Sequence, residues 1–461
     1  MKRNAAILLS LLLLIGLPPV GLAYFNRFQA EALRQTAPAR ASRHYEIAAH
    51  LLFWEAGLRE QAALSALQAG EDKRALALLL EARRAETLTP SGWLALGEIY
   101  ARQGDWDAAY AQAWLPLWQT GFASPALFAR LAEYAAQRQD AALEVRALTR
   151  LLELDPARAS ARYRLALLLA PEDLQTALTH LSMLTDPSAE TVRNALQQAL
   201  MQEDPAYRAL LVGRALANAD EWPLALRAFR AAAEFNPNYA EAWAWQAEAL
   251  YQMAADPVVI EALYDRALAL NPQSAGVQAM AGLYYERQGN YAQAESQYLR
   301  AAQLEPENPA WRLALARIIA RRDLPAALEH YQAATRIAPQ DVSVWMSLAA
   351  FCLEHEAFLE EVGLEAALRA YALAPQNPAV LDLLGRMLAL TGEAETARVL
   401  YQRALDLDPA LPAPRFHLAL LYLQTGRVVE ARTEFEQVTR LDPAGPYGRQ
   451  AQEILTRYFS P

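Results

Sequence analysis

The sequence predicts an all-α fold, a solenoid of paired helices, and three observations predict it. Only 18 of the 461 residues are glycine while 54% are hydrophobic types rich in alanine and leucine, a composition that favours helix over strand. Apolar helical patterns end in a proline at Pro237, Pro272, Pro306, Pro339, Pro375, Pro409 and Pro443, and subtraction gives steps of 35, 34, 33, 36, 34 and 34. So regular a period marks stacked repeats, not independent domains. Within the units, turns such as RQGN, LTGE and QTGR place Gly70, Gly104, Gly289, Gly392 and Gly426 where a left-handed residue ends the first of two helices.

From the start of the chain, Met1-Lys2-Arg3 precedes an uncharged run from Ala5 to Phe25, which as a helix would span about 30 Å, enough for a bilayer core. Residues 1–25 are therefore expected to be either a transmembrane anchor or a signal peptide cleaved near the small residues Gly21 and Ala23. No nearby cysteine could accept a lipid. Arg27, Arg34, Arg40 and Arg43 after the run favour a cytoplasmic body by the positive-inside rule. The short charged start before an apolar run is nevertheless signal-like, and the preferred reading places the body outside the cytoplasm. It is held there by a single pass through a bacterial cell membrane or exported after cleavage.

Residues 26–43 are expected as a linker and 44–187 as a first array, whose last unit, ARASARYRLALLLAPEDLQTALTHLSMLTDP, lacks a central glycine and runs short. The extra segment SAETVRNALQQALMQED makes 188–205 an irregular junction. A second, more evenly spaced array occupies 206–443, and PYGRQAQEILTRYF within 444–461 is the terminal cap that such arrays need for solubility.

Large and small residues recur at fixed places. Gly282, Tyr285, Gly289, Tyr291, Ala294, Tyr298, Ala301 and Pro306 are matched by Gly385, Leu388, Gly392, Ala394, Ala397, Tyr401, Ala404 and Pro409. Ala419, Tyr422, Gly426, Val428, Ala431, Phe435, Val438 and Pro443 form the next copy. Small residues let helices approach and the rings fill the gaps. Most tyrosines are thus core wedges, and Tyr284 alone falls off the pattern in GLYYERQGNYAQAESQY, which leaves too few aromatics for a base-stacking surface. The net charge of -10 likewise argues against a general nucleic-acid binder.

These residues resemble the tetratricopeptide repeat family. Trp93, Leu96, Gly97 and Tyr100 of WLALGEIY fit its W-x2-L-G-x2-Y start, Ala109 follows at a small position, and Trp345, Leu348 and Ala349 repeat the start more loosely. The resemblance covers about Ala56 to Pro443. It implies a right-handed superhelical solenoid whose first helices line a concave groove for extended peptides or partner helices. Carried over, the groove positions are Glu248, Tyr251, Leu283, Glu286, Arg287, Arg317, Met346, Leu353, Asp382, Arg386, Phe416, Leu420 and Leu423. The paired lysines and asparagines with which family members clamp a terminal carboxylate, and the asparagine ladder of arrays linked to glycosyltransferases, are not found at these positions.

Motifs for catalysis are lacking. His355-Glu356-Ala357-Phe358-Leu359 begins like a zinc-protease helix, but Leu359 stands where the second histidine ligand belongs. Cys352 and His355 read as a core thiol and a surface imidazole, Glu360-Glu361 as solvated charges facing different ways. Neither a G-x-x-x-x-G-K-[ST] phosphate loop nor a G-x-S-x-G nucleophile turn occurs. No cofactor, metal or enzyme activity is expected. The expected function is a membrane-tethered or exported scaffold for protein–protein interactions, its partner a protein or peptide in the groove of the second array. The alternative is a regulatory or targeting subunit of an envelope enzyme complex such as a separately encoded glycosyltransferase.

Overall fold

A computed structural model describes residues 19–459. The proposed anchor or signal segment therefore lies mostly outside the described residues, and no described helix is long and apolar enough to cross a membrane. Among the described residues every regular element is helical. The chain divides into two compact units, Met1–Ala228 and Phe229–Pro461, at a point inside the helix Trp222–Phe235.

The first unit opens with a helix over residues 19–33, followed by Pro38–Leu51. The stretch 26–43 is thus no extended linker. It is largely helical, and Asn26, Ala30, Ala41 and Ser42 are buried. Helix pairs then follow, with one irregularity inside a pair: Trp106–Ala109 runs into a π-turn at Tyr110–Trp114 before Leu115–Gln119. Trp114 is fully buried, and a Cβ at Gly97 would lie 2.1 Å from its Nε1. Only glycine fits there, which gives the W-x2-L-G pattern its steric reason.

The degenerate unit is a shortened pair, Ala159–Leu169 with Leu174–Ser182. The extra segment is one more helix, Pro187–Leu200, packed between Leu174–Ser182 and Pro205–Asn218. An odd helix puts the alternation of first and second helices out of step. A long-range ion network spans this stretch: the Arg164 guanidinium donates to Glu144 at 2.7 and 3.1 Å and to both carboxylate oxygens of Glu221 at 2.8 Å. Burial disfavours the charge on Arg164, but the two glutamates outweigh it and hold its pKa above the usual value.

The second unit is regular. Its pairs are Ala240–Gln252 with Pro257–Leu270, Ala275–Arg287 with Tyr291–Leu304, Pro309–Ile319 with Leu324–Ile337, Pro378–Leu390 with Ala394–Leu407, and Pro412–Gln424 with Val428–Leu441. Val342–Glu354 pairs with Leu364–Leu373 through a π-turn at Leu359–Gly363. That turn, with Glu356 and Phe358 left-handed, takes up the long 36-residue step. The wedge pattern is as the sequence predicts: a Cβ at Gly282 would meet the Tyr298 ring at 3.0 Å, and one at Gly385 the Tyr401 ring at 2.6 Å.

Tyr284 differs from expectation. It is 1% exposed, in ring contact with Tyr251, Tyr264 and Tyr285, and it donates to Glu261 at 3.4 Å. The repeat pattern reports packing within a helix pair, whereas Tyr284 is covered by the preceding second helix, Pro257–Leu270. Burial, followed by Glu261, pushes its phenol up to about 12.

Turn glycines 70, 104, 289, 392 and 426 all have positive φ, but Gln139, Asp220 and Ala254 take the same conformation without glycine. Between repeats a different contact recurs. The side chain six residues past the proline donates back to that proline's carbonyl, from Arg162, Trp243, Gln278, Trp345 and Arg415 at 2.7–3.1 Å. The cap Pro446–Tyr458 packs on the last pair, its first turn held by the Asp442 carboxylate, which accepts from the Tyr447 and Gly448 amides at 3.1 Å.

Candidate partner-binding surface

In the second unit the first helices approach one another. Ala240–Gln252 packs on Ala275–Arg287, and Val342–Glu354, Pro378–Leu390, Pro412–Gln424 and the cap form a continuous row. No consecutive second helices pack to the same extent among the described residues, so the first helices lie on the inner side of this unit's curve. Directly after the buried small residue of each first helix stands one position of this inner face: Glu248, Leu283, Arg317, Ala350, Arg386 and Leu420 in turn.

Most charges on that face are consumed within the chain. Arg287 donates to both oxygens of Glu248 at 2.8 and 3.0 Å, and Glu248 is itself buried. Arg317 grips Glu286 at 2.7 and 2.8 Å, and Tyr298 donates to the same carboxylate at 2.8 Å. Burial alone would raise the pKa of Glu286, but Arg317 and Tyr298 bring the net shift below its usual value. Tyr251, Leu283, Met346 and Leu423 are half-buried and pack against the core, while Leu353 and Phe416 are buried in it. These arginine–glutamate clasps join successive repeats.

Arg386 is different. It is half-buried with no ion pair or side-chain hydrogen bond among the described residues. It lines a cleft of ≈ 410 Å³ with Glu356, Tyr401, Phe416, His417, Leu420 and Tyr447, and makes no ion pair with Glu356. The nearest acid on its own helix, Asp382, is 8% exposed and engaged with His417 Nδ1 at 2.7 Å. Phe416 packs its ring against Phe435 at 5.7 Å and Tyr447 at 5.5 Å. Burial and then Asp382 raise the Tyr447 phenol while Arg386 lowers it, so the cation acts across the cleft. An aromatic wall beside an uncompensated guanidinium suits a carboxylate carried on an apolar segment.

Sequence models described as tetratricopeptide repeat match residues 60–121, 279–342 and 388–455. Those three stretches carry tetratricopeptide repeats. No curated protein matches the sequence. Among solved structures, yeast Tom70 is similar at 17% identity over 94% of this chain and 95% of its own, with a TM-score of 0.44. The APC/C hetero-tetramer Cut9-Hcn1 is similar at 13% identity over 95% and 96%, with a TM-score of 0.40. Pseudomonas aeruginosa pilF is similar at 21% identity over 49% of this chain and 98% of its own, with a TM-score of 0.39.

The repeat fold is one suited to scaffolding protein–protein interactions. Of the groove residues read from the sequence, Asp382, Arg386, Phe416 and Leu420 come together around one cleft, with Leu353 at its edge. Tyr251, Glu248 and Arg287 form a separate cluster, with the Arg287 guanidinium 5.0 Å over the Tyr251 ring. Sequence reasoning missed His417, Tyr401 and Tyr447. Tyr447 belongs to the capping helix, which extends the row of first helices and closes the cleft. In the first-unit repeats a comparable cleft of ≈ 470 Å³ contains Arg130, but Glu98 at 2.8 Å and Glu133 at 2.6 Å both bind that arginine. Cys352 is fully buried, and burial alone raises its thiol to about 11. No group of three or more potential metal ligands exists among the described residues.

Proposed function

We propose that the protein is a membrane-tethered or exported scaffold that holds a protein partner along the first-helix face of its second unit. The partner is anchored by an acidic or carboxylate-bearing segment at Arg386. The observation that carries the reading is the half-buried guanidinium that makes no ion pair among the described residues in an aromatic cleft, when Arg287 and Arg317 on the same face are each clasped by a glutamate. An incoming carboxylate would find there a half-buried guanidinium whose donors are not already taken by a glutamate.

Crosslinking in intact membranes, followed by identification of the bound protein, tests the reading. Arg386→Glu should weaken capture at least tenfold with the helical circular dichroism unchanged, and Arg386→Lys should retain part of it. Arg287→Glu should instead destabilise the unit by opposing Glu248. Undiminished capture by Arg386→Glu would remove the cleft from the binding surface.

A further inference from the structure

The first described helix is built the wrong way round for a soluble repeat. Its inward side carries Ala23, Asn26 and Ala30, all buried, with Asn26 bonded to His44 at 2.7 Å. Its outward side carries Leu22, Tyr24, Phe25 and Phe28, exposed at 52%, 48%, 57% and 66%. At 1.5 Å per residue these four cover about 9 Å of the helix axis. Beside them, in the turn between Pro38–Leu51 and Leu58–Gln68, Phe53 and Trp54 are 73% and 56% exposed and stacked edge to face at 5.0 Å.

Glu55 fixes the two segments side by side, accepting from Tyr24 at 3.1 Å and from Arg27 at 2.7 Å. Phe53 and Trp54 therefore stand level with Tyr24, not at some unrelated height. Six large apolar side chains, four of them in succession along one helix, thus face outward at one end of the first unit. Large contiguous exposed apolar patches mark a surface that something covers.

The occupant follows from the sequence. The outward-facing Leu22, Tyr24 and Phe25 lie at the end of the uncharged run that begins at Ala5. The first charged residue after the run is Arg27, at the same level as Glu55. Tryptophan, tyrosine and phenylalanine at the end of an apolar span, directly followed by charge, are the side chains that settle at a bilayer interface. We infer that Phe25, Phe28, Phe53 and Trp54 form a collar that seats the first unit in the interfacial layer of a lipid bilayer. The body would then lie directly on the membrane, held by its aromatic rim as well as by the apolar run. This rests on the tethered reading above but adds a claim that tethering alone does not make: Trp54, which lies outside the apolar run, contacts lipid.

The test uses full-length protein reconstituted into phosphatidylcholine vesicles, with tryptophan emission read against lipids brominated near the headgroup end of their chains. Trp54 is the first of ten tryptophans in the chain, so Trp54→Phe isolates its share. The expected result, read on the vesicle-bound fraction of each protein, is quenching by the brominated lipid in the parent that is lost in Trp54→Phe. Equal quenching in both proteins overturns the inference. Protein that floats with vesicles but whose Trp54 is quenched only by aqueous acrylamide retains the tether and overturns the collar. Protein that floats with Trp54 shielded from both quenchers has the patch covered by residues 1–18 or by a second copy, and the collar is again wrong. Failure to float removes the tethered reading and the collar together.

Discussion

The two units solve the same stacking problem by different means. In the second, first helices present a small residue to a ring from the second helix, as Gly282 does to Tyr298 and Gly385 to Tyr401, with Ala367 in the ring's place in the pair Val342–Glu354 with Leu364–Leu373. In the first, where one pair is short and an odd helix intervenes, the Arg164 guanidinium bridges Glu144 and Glu221 across 77 positions of chain, 144 to 221. Regular spacing repeats the same apolar wedge within pair after pair and lets short clasps, Arg287 on Glu248 and Arg317 on Glu286, join neighbouring repeats. Broken spacing is spanned by a directional, long-range polar clasp. The clefts differ too, since Arg130 in the first unit is paired with two glutamates while Arg386 in the second makes no ion pair among the described residues.

The largest effect should fall on the wedges. Tyr298→Ala is expected to cost roughly 3–5 kcal/mol through the cavity left beside Gly282. Tyr284→Ala should cost a similar amount, about 3 kcal/mol or more, because its ring is equally buried. Chemical denaturation checks both, and hydrogen exchange should place the first loss of protection in the repeats flanking each site. A harmless Tyr284→Ala would restore the expectation drawn from the repeat pattern and contradict the packing.

Next is the polar clasp. Arg164→Ala leaves Glu144 buried and without its cation, at a cost of about 3 kcal/mol. Protection should fall across 141–221 while the second unit keeps its own transition. An equal loss in both units would show that the clasp has no local role.

A smaller effect of opposite sign is expected at the turn where Ala254 adopts φ 54. Ala254→Gly should stabilise the second unit by roughly 0.5–1 kcal/mol, as relief of the left-handed strain exceeds the added freedom of the unfolded chain. A lower denaturation midpoint would mean that the alanine methyl packs productively.

The smallest effect concerns acid. The folded-state pKa of Glu286 lies below its unfolded value, so its contribution is complete above about pH 4.3 and is lost as pH falls through the folded value. Arg317 is half exposed, with a side-chain exposure of 54%, so screening limits the pair to about 0.5 kcal/mol. Glu286→Gln should flatten the acid limb of the second unit's stability profile and leave that of the first unchanged. A steeper limb would mean that folding raises the Glu286 pKa instead of lowering it.

Much of this was legible from the sequence because repetition supplies its own comparison. The turn glycines, the wedge rings and the capping helix all follow from one period. The left-handed turns at Gln139, Asp220 and Ala254 did not, because surrounding helices impose that conformation on residues with no preference for it. The Arg164 clasp was hidden by the 57 positions that separate it from Glu221, a distance no local pattern encodes. For the cleft, Asp382, Arg386, Phe416 and Leu420 were visible as groove positions. That Arg386 alone goes unclasped depends on which carboxylates lie within reach, and this is a property of folded geometry.

The contact that returns from each repeat to the preceding proline has a practical consequence. At Pro237 and Pro339 the donor is an indole, Trp243 or Trp345. Indole protons resonate apart from backbone amides, so these two joints each carry a native spectroscopic gauge. When a joint yields, its indole proton is released to solvent and exchanges. The second unit can thus report, at each of these two joints and without an added label, where its stacking opens.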